Sequence, residues 1–337
     1  MKAIVLNETG DPNQLAYQEV EKPKPAEGEV LIRLKHASLN RRDVFITHGL
    51  YPGIKLPSVL GADGSGVVAE TGDRAGGVKK GDEVLINPGL NWGDNPHVNS
   101  PQFNILGMPS NGTYAEFVKV PVENIYKKPE YLTFQEAAAL PLAAVTAYRA
   151  VVTRGNVQEG ETVLIPGIGS GVALFALQIA KAKGARVFIT SGSDEKIEKA
   201  KDLGAEDGVN YKKDGYVKSL REMMGSADLS IDGVGGESFM DLISLARPGG
   251  RIVNFGATTG PVPSFLLPKL FFKHLDLKGT TMGSPQDFEE MLAFFSNHKI
   301  RPVLDRSFPL EAAAEAQLYM ESGKHYGKIT LEIDSTI

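Results

Sequence analysis

The chain has 337 residues, long for one hydrophobic core, and its 42% hydrophobic and 23% charged residues describe an ordinary globular protein of about two domains. A formal net charge of −5 gives no electrostatic reason to expect nucleic acid or an anionic membrane as partner. Cysteine is absent, which excludes disulfides and thiolate metal centres together.

The first six residues, Met1-Lys2-Ala3-Ile4-Val5-Leu6, read as a strand that turns polar at Asn7-Glu8-Thr9-Gly10. No secretory h-region or transit peptide is read there, and a cytoplasmic protein is expected. Up to residue 124 short apolar runs are punctuated by Gly and Pro, as at Lys22-Pro23-Lys24-Pro25, Gly28, Gly72 and Gly81, with few helical stripes. That texture predicts a mostly β domain. From residue 162 the texture changes. Strands near 162–166, 186–190, 207–210, 228–232, 251–255 and 277–282 alternate with helices near 170–183, 194–203, 214–224, 236–247 and 285–297, the pattern of a doubly wound parallel sheet. The apolar patch at 264–277 is broken by Pro268, Lys269, Lys273, His274 and Asp276, too often for a membrane span. A run at 303–309, a helix near 310–322 and a strand at 327–333 resume the first style. The expected organisation is a mostly β domain of residues 1–124 and 299–337, with a nucleotide-binding domain of 125–298 inserted in it. Cofactor and substrate are expected in a cleft between the two.

Residues 162–191 carry the strongest signal. An apolar strand, Thr162-Val163-Leu164-Ile165-Pro166, runs into Gly167-Ile168-Gly169-Ser170-Gly171, then a helix with Val172, Phe175, Ala176, Ile179 and Ala180 on one face, then a second strand. Such a β-α-β unit lets a pyrophosphate approach the backbone at glycines and meet the N–H groups that open the helix. The spacing departs from G-x-G-x-x-G, since Val172 holds the last glycine's place, and the glycines alone leave another Gly-rich α/β turn open. A hydrolase nucleophile elbow is excluded, because Ile168 and Val172 flank Ser170 where glycines are required. At the end of the second strand NAD-specific sites carry an acid, and here stands Ser191, followed by Gly192 and Ser193. A small neutral residue leaves room for a 2′-phosphate, with Lys196 five residues on. The six histidines are scattered without metal-ligand spacing.

Several ordered segments then resemble the medium-chain dehydrogenase/reductase superfamily, specifically its zinc-free quinone oxidoreductase and enoyl reductase branches. They are Ala37-Ser38-Leu39-Asn40-Arg41-Arg42-Asp43, His48-Gly49-Leu50-Tyr51-Pro52, residues 60–68, Gly112-Thr113-Tyr114-Ala115-Glu116, residues 140–148, residues 167–184, Arg247-Pro248-Gly249-Gly250-Arg251 and Gly327-Lys328. The resemblance covers nearly the whole chain. It implies an α/β fold in which a Rossmann doubly wound parallel sheet is inserted in a mostly β, GroES-like catalytic domain. Zinc-dependent alcohol dehydrogenases of this superfamily bind catalytic zinc through cysteine, histidine and cysteine at positions that fall here on Asn40, Ala62 and Leu142, and the segment 87–111 resembles a shortened structural-zinc lobe without thiolates. No metal is expected.

The implied activity is NADPH-dependent hydride transfer to a quinone or an α,β-unsaturated carbonyl, whose product anion is delocalised and needs no Lewis acid. The resemblance assigns Tyr51 as hydrogen-bond donor, with Asn40 and Asp43 lining the substrate pocket, and leaves Asp63 either in that pocket or paired with Arg41 or Arg42. It assigns Gly167, Gly169, Ser170, Gly171, Val172, Thr146, Ser191, Ser193, Phe255, Gly256, Met282 and Gly283 to the cofactor, with Lys196 and Tyr211 on its 2′-phosphate and Lys328 reaching a phosphate. Alternatives are an enoyl-thioester reductase and a non-catalytic, NADPH-binding crystallin-like protein. The partners expected are a small-molecule quinone or enone and a second copy of the chain, contacted through Phe265-Leu266-Leu267 and Leu270-Phe271-Phe272, with neither nucleic acid nor membrane.

Overall fold

The computed structural model describes residues 1–334. Two compact units are present, one of Met1–Ala143 together with the residues from Ser284 on, the other of Ala144–Gly283.

The spine of the first unit is the strand Glu29–Ser38, whose alternate residues Val30, Ile32 and Leu34 are buried in one apolar cluster with Val68, Val84, Ile86 and Val118. It pairs antiparallel with Asp63–Thr71 on one side and with Phe117–Pro121 and Lys328–Glu332 on the other. Glu83–Ile86 and Ile125–Lys127 extend the sheet at one end, and Leu304–Pro309, parallel to Lys328–Glu332, closes it at the other. Two registers decide the chemistry of this unit: Ser38 lies opposite Asp63, and Ser38 also lies opposite Thr330. The residues just beyond Ser38 are thereby held beside Asp63 and Lys328, which are distant in sequence. A second cluster, with Ile4, Leu6, Leu39, Val44, Ile46, Tyr114, Ile329 and Leu331, packs the helix Arg41–Thr47 onto that end of the sheet.

The second unit is a six-stranded sheet in the order Asp207–Asn210, Arg186–Ser191, Thr162–Ile165, Ala227–Asp232, Ala246–Asn254, Asp276–Gly279, every pair parallel. Helices Gly171–Ala182, Asp194–Asp202, Tyr216–Met224 and Phe239–Leu245 make the crossovers. The chain leaves the central strand Thr162–Ile165 toward one flank and later returns to the other, so the order reverses between Thr162–Ile165 and Ala227–Asp232. In an open parallel sheet that reversal opens a crevice at the carboxyl ends of the strands.

The predicted strands of this sheet are all found. The boundaries of the units differ from expectation: the breaks fall at 143/144 and 283/284 rather than at 124/125 and 298/299. The reason is the helix Pro285–His298. Its apolar stripe reads as one more crossover helix, yet Phe288 stacks on Tyr126 at 4.7 Å, and the Tyr131 hydroxyl donates to the carbonyls of Phe295 and Ile300 at 3.1 and 2.9 Å. The stripe specifies that a face is buried, not against which neighbour.

Candidate active site

In the first unit the helix Arg41–Thr47 begins where strand Glu29–Ser38 ends. Asp43 reaches back to accept the backbone N–H of Asn40 at 2.9 Å, half of a capping box. The Asn40 side chain turns instead toward Asp63. Its Nδ2 donates to Asp63 Oδ2 at 2.9 Å, and its Oδ1 accepts from Lys328 Nζ at 2.8 Å. The Lys328 ammonium also donates to the carbonyl of Leu39 at 2.8 Å and lies 3.3 Å from Asp63 Oδ2. The other carboxylate oxygen of Asp63 accepts the backbone N–H of Leu142 at 2.9 Å. Asp63 has no exposed surface and Lys328 retains 4% of its own. Burial holds the Lys328 ammonium below the usual lysine range, opposed by the Asp63 carboxylate.

Asp43 forms a second buried node. Its Oδ2 also accepts from the Tyr114 hydroxyl at 2.8 Å, and the Arg42 guanidinium stands 3.7 Å from its Oδ1. Burial pushes the Asp43 carboxyl up, with Arg42, the Asn40 N–H and Tyr114 opposing; burial and then Asp43 push the Tyr114 phenol well above its ordinary value. Arg42 continues outward, donating to the Leu106 carbonyl at 2.9 Å and carrying the half-buried ring of Tyr51 on its guanidinium, 4.9 Å from the centroid. Two buried carboxylates and two buried cations therefore sit beside one helix N-terminus, and Tyr51 is the partly exposed group held at their rim.

This geometry corrects three expectations. Asp43 has zero exposure and holds the helix start, so it does not line a substrate pocket, and the Asn40 amide is engaged by Asp63 and Lys328 in the same way. Asp63 pairs with Lys328, not with Arg41 or Arg42. Lys328 does not reach out to a cofactor phosphate: its ammonium is enclosed by Leu39, Asn40 and Asp63.

The second unit places the predicted cofactor residues at the carboxyl ends of its parallel strands. Gly167 and Gly169 take φ of 66° and 121°, conformations that favour glycine, and a Cβ on Gly167 would stand 2.7 Å from Val234 Cγ2. Ser170 caps helix Gly171–Ala182 by accepting from the Ala173 N–H at 3.3 Å, a structural role for its hydroxyl. Within the first turn the N–H groups of Gly171 and Val172 have no helical carbonyl to bond. The tight glycine turn and the helix start thus form a cradle that fits a pyrophosphate.

One strand over, Ser191 Oγ accepts the Ser193 N–H at 3.3 Å and Ser193 caps helix Asp194–Asp202 at Lys196 N–H. A Cβ on Gly192 would meet the Tyr211 hydroxyl at 2.7 Å and Lys212 Cε at 2.9 Å, so both side chains pass over that glycine. Lys212 escapes sequence reasoning; the signal was the pairing of a bare Gly192 with the Tyr211-Lys212 step one strand away. On the far side of the crevice, buried Asp232 accepts from Val234 N–H and from Asn254 Nδ2 at 2.9 and 2.8 Å, and the Phe255 ring covers Gly233. Gly256 follows, its carbonyl accepting from Asn254 Nδ2 at 2.8 Å. Thr146 is buried in helix Pro141–Tyr148, and Met282, next to Gly283, is buried with φ 47°.

Two family models match the chain, an alcohol dehydrogenase GroES-like domain over residues 26–130 and a zinc-binding dehydrogenase domain over 171–297. Among curated proteins, a zinc-type alcohol dehydrogenase-like protein of Leptosphaeria maculans is 36% identical, covering 93% of each chain. An acryloyl-coenzyme A reductase of Metallosphaera sedula is 31% identical, covering 98% of this chain and 99% of its own. Among solved structures, an NAD-dependent alcohol dehydrogenase superposes with a TM-score of 0.95 at 40% identity, covering 99% of this chain and all of that one.

The zinc ion that the second of these models names does not fit the residues present. Asn40, Ala62 and Leu142 offer an amide, a methyl and an isobutyl group where the resemblance places thiolate, imidazole and thiolate, and the amide already binds an ammonium. Among the described residues no group of three or more His, Asp or Glu side chains is arranged to hold a metal.

Tyr114→Phe removes one donor from a carboxylate without solvent access. We predict a loss of about 1–3 kcal/mol in urea unfolding; unchanged stability would show that Asp43 does not depend on that hydroxyl.

Proposed function

This chain belongs to the medium-chain dehydrogenase/reductase superfamily, and on that premise we propose that it is a zinc-independent, NADPH-dependent reductase of α,β-unsaturated carbonyl compounds or quinones. The observation that carries the proposal is that the positions the resemblance gives to zinc ligands hold Asn40, Ala62 and Leu142, with the Asn40 amide bonded to Lys328 and Asp63. Alcohol oxidation generates an alkoxide, whose localised charge calls for a Lewis acid. Hydride addition to a conjugated double bond generates an enolate, whose charge spreads over carbon and oxygen, and a hydrogen-bond donor suffices. The name of the Metallosphaera relative, an acryloyl-coenzyme A reductase, is in keeping with that chemistry and makes a thioester the second substrate class to test.

The nicotinamide cofactor, when bound, supplies the hydride. Gly167, Gly169, Gly171 and Val172 would hold its pyrophosphate through backbone N–H groups, while Thr146, Phe255, Gly256, Met282 and Gly283 would frame the nicotinamide end. Ser191 in place of an acid, with Ser193 and Lys196 at the start of helix Asp194–Asp202 and Tyr211 and Lys212 just past strand Asp207–Asn210, favours a 2′-phosphate. Tyr51, seated on Arg42, would donate a hydrogen bond from its hydroxyl to the carbonyl oxygen of the acceptor. We further propose that two copies associate through the edge strand Asp276–Gly279, which pairs on one side only among the described residues. Leu266, Leu267, Phe271, Phe272 and Leu277 lie exposed in the same unit.

Three measurements test these points. NADPH is expected to exceed NADH in kcat/KM by at least an order of magnitude, with Lys196→Ala or Lys212→Ala removing most of the difference and leaving NADH turnover unchanged; equal use of both cofactors by the wild type contradicts the 2′-phosphate assignment. Tyr51→Phe is expected to slow reduction of an unsaturated ketone on the order of 10²-fold while sparing quinone turnover, and equal rates with both substrates would remove Tyr51 from the mechanism. Light scattering at micromolar concentration is expected to give a dimer that Phe272→Glu with Leu277→Lys converts to a monomer; a monomeric wild type overturns the edge-strand contact.

A further inference from the structure

Helix Arg41–Thr47 ends in a turn that fixes where the chain goes next. His48 is its C-cap and Gly49 follows with φ of 75°; the Gly49 N–H donates to the Ile46 carbonyl at 2.9 Å and the Leu50 N–H to the Phe45 carbonyl at 2.8 Å. Two such bonds around a left-handed glycine make a Schellman turn, and Tyr51 is the first residue beyond it. From Tyr51 to Ile54 no backbone group makes a hydrogen bond among the described residues. The next fixed point is Lys55, whose N–H donates to the buried Met108 sulfur at 3.2 Å. Tyr51 and Ile54 rest half-buried on the apolar cluster below, while Leu50, Pro52 and Gly53 are exposed. The loop is therefore held mainly at its two ends.

The near end is tied to a second helix. His48 Nε2 lies 2.5 Å from Oε1 of Glu321, the last residue of helix Ala313–Glu321, and the two side chains are 31% and 29% exposed. A carboxylate in the last turn opposes the dipole of its own helix, so that helix end does not itself favour Glu321. What the position offers is an acceptor beside helix Arg41–Thr47, for His48 and for the Arg41 guanidinium, which burial pushes down and Glu321 pulls back. The two helices are joined independently by the Thr47 hydroxyl, 2.9 Å from Gln317 Oε1. His48 thus holds the turn more than the helix. We propose that His48, through its hydrogen bond to Glu321, is a positioning residue for Tyr51, fixing the turn from which the Tyr51 loop departs, with the Lys55–Met108 contact as the opposite anchor. His48 acts through the loop and not on the acceptor. Its catalytic consequence rests on the reading of Tyr51 as donor; its structural one does not.

The test uses the full chain with His48→Leu, His48→Gln and Glu321→Ala, reading hydrogen–deuterium exchange of a peptide covering 46–56 and steady-state reduction of an unsaturated ketone. Leucine fills the place without a donor, whereas the glutamine amide keeps one. His48→Leu and Glu321→Ala are each expected to speed exchange of the Gly49 and Leu50 amides roughly tenfold and to lower kcat for the ketone roughly tenfold, with the KM for NADPH within about twofold of wild type. His48→Gln is expected to recover most of both effects. Adding His48→Leu to Tyr51→Phe separates the two readings: with Tyr51 as donor, the combined variant is no slower than Tyr51→Phe alone. If Tyr51→Phe reduces the ketone at the wild-type rate while His48→Leu still loosens the turn, the donor role of Tyr51 falls and the anchor stands. Unchanged exchange in His48→Leu and Glu321→Ala overturns the anchor whatever Tyr51 does. So does a His48→Gln variant as loose as His48→Leu, or, where Tyr51→Phe is slow, an unchanged kcat in His48→Leu or a combined variant slower than Tyr51→Phe. Should His48→Leu not accumulate as soluble protein, Glu321→Ala carries the same readouts, and failure of both to fold overturns the proposal, because the Thr47–Gln317 bond is expected to keep the helices together.

Discussion

Asp63, a carboxylate at zero exposure, has a cation beside it and a donor on each oxygen, and the arrangement around it answers the cost of burying a charge. The cation is Lys328, the donors are Asn40 and the Leu142 backbone, and the same groups fix where the helix Arg41–Thr47 begins. From that helix the constraint passes to Asp43, then to Arg42, then to the ring of Tyr51. The position of Tyr51, the hydrogen-bond donor proposed above, is therefore set by a charge network that itself stays buried. Breaking one member leaves a like-sized charge stranded in low dielectric, which costs far more than an exposed pair would.

In the Ala144–Gly283 unit a different device is proposed for cofactor binding. Backbone N–H groups at a helix start, laid bare by Gly167 and Gly169, are strong and sequence-sparing ligands for phosphate, which is why the unit tolerates Val172 where a third glycine is usual. The selectivity proposed above would rest on side chains one and two strands away, where Ser191 stands in place of an acid and Tyr211 and Lys212 lean over Gly192. Asp232, also buried, is not a counterpart of the missing ribose-binding acid. It ties the Val234 turn to Asn254 and shapes the opposite wall of the crevice.

Much of this was legible in the residues. Alternation of short β-branched runs with helical stripes fixed the six parallel strands, because period and length are local properties. The glycine turn likewise announced its place at the end of the first strand of that sheet. The domain limits were not legible, since the apolar stripe of Pro285–His298 is the same whether it meets a Rossmann strand or, as it does, Tyr126. Nor was the fate of Lys328, because Asp63 and Lys328 are 265 residues apart and only the strand registers at Ser38 bring them together. Gly-Lys near the end of the chain reads as a surface-reaching phosphate ligand until its enclosure is seen. Asp43 misled for a related reason: a helix-start acid can face a pocket or hold a cap, and its contacts with Asn40, Arg42 and Tyr114 are what distinguish the two.

The family has many members named for zinc and for alcohols, while the positions that the resemblance gives to the metal hold Asn40, Ala62 and Leu142 in this chain. The most direct test is turnover of NADPH with an unsaturated ketone by protein stripped of metal with chelator, its zinc content measured on the same sample. Undiminished hydride transfer at substoichiometric zinc is the predicted result. Activity that disappears with the metal and returns on adding one equivalent of zinc would contradict it.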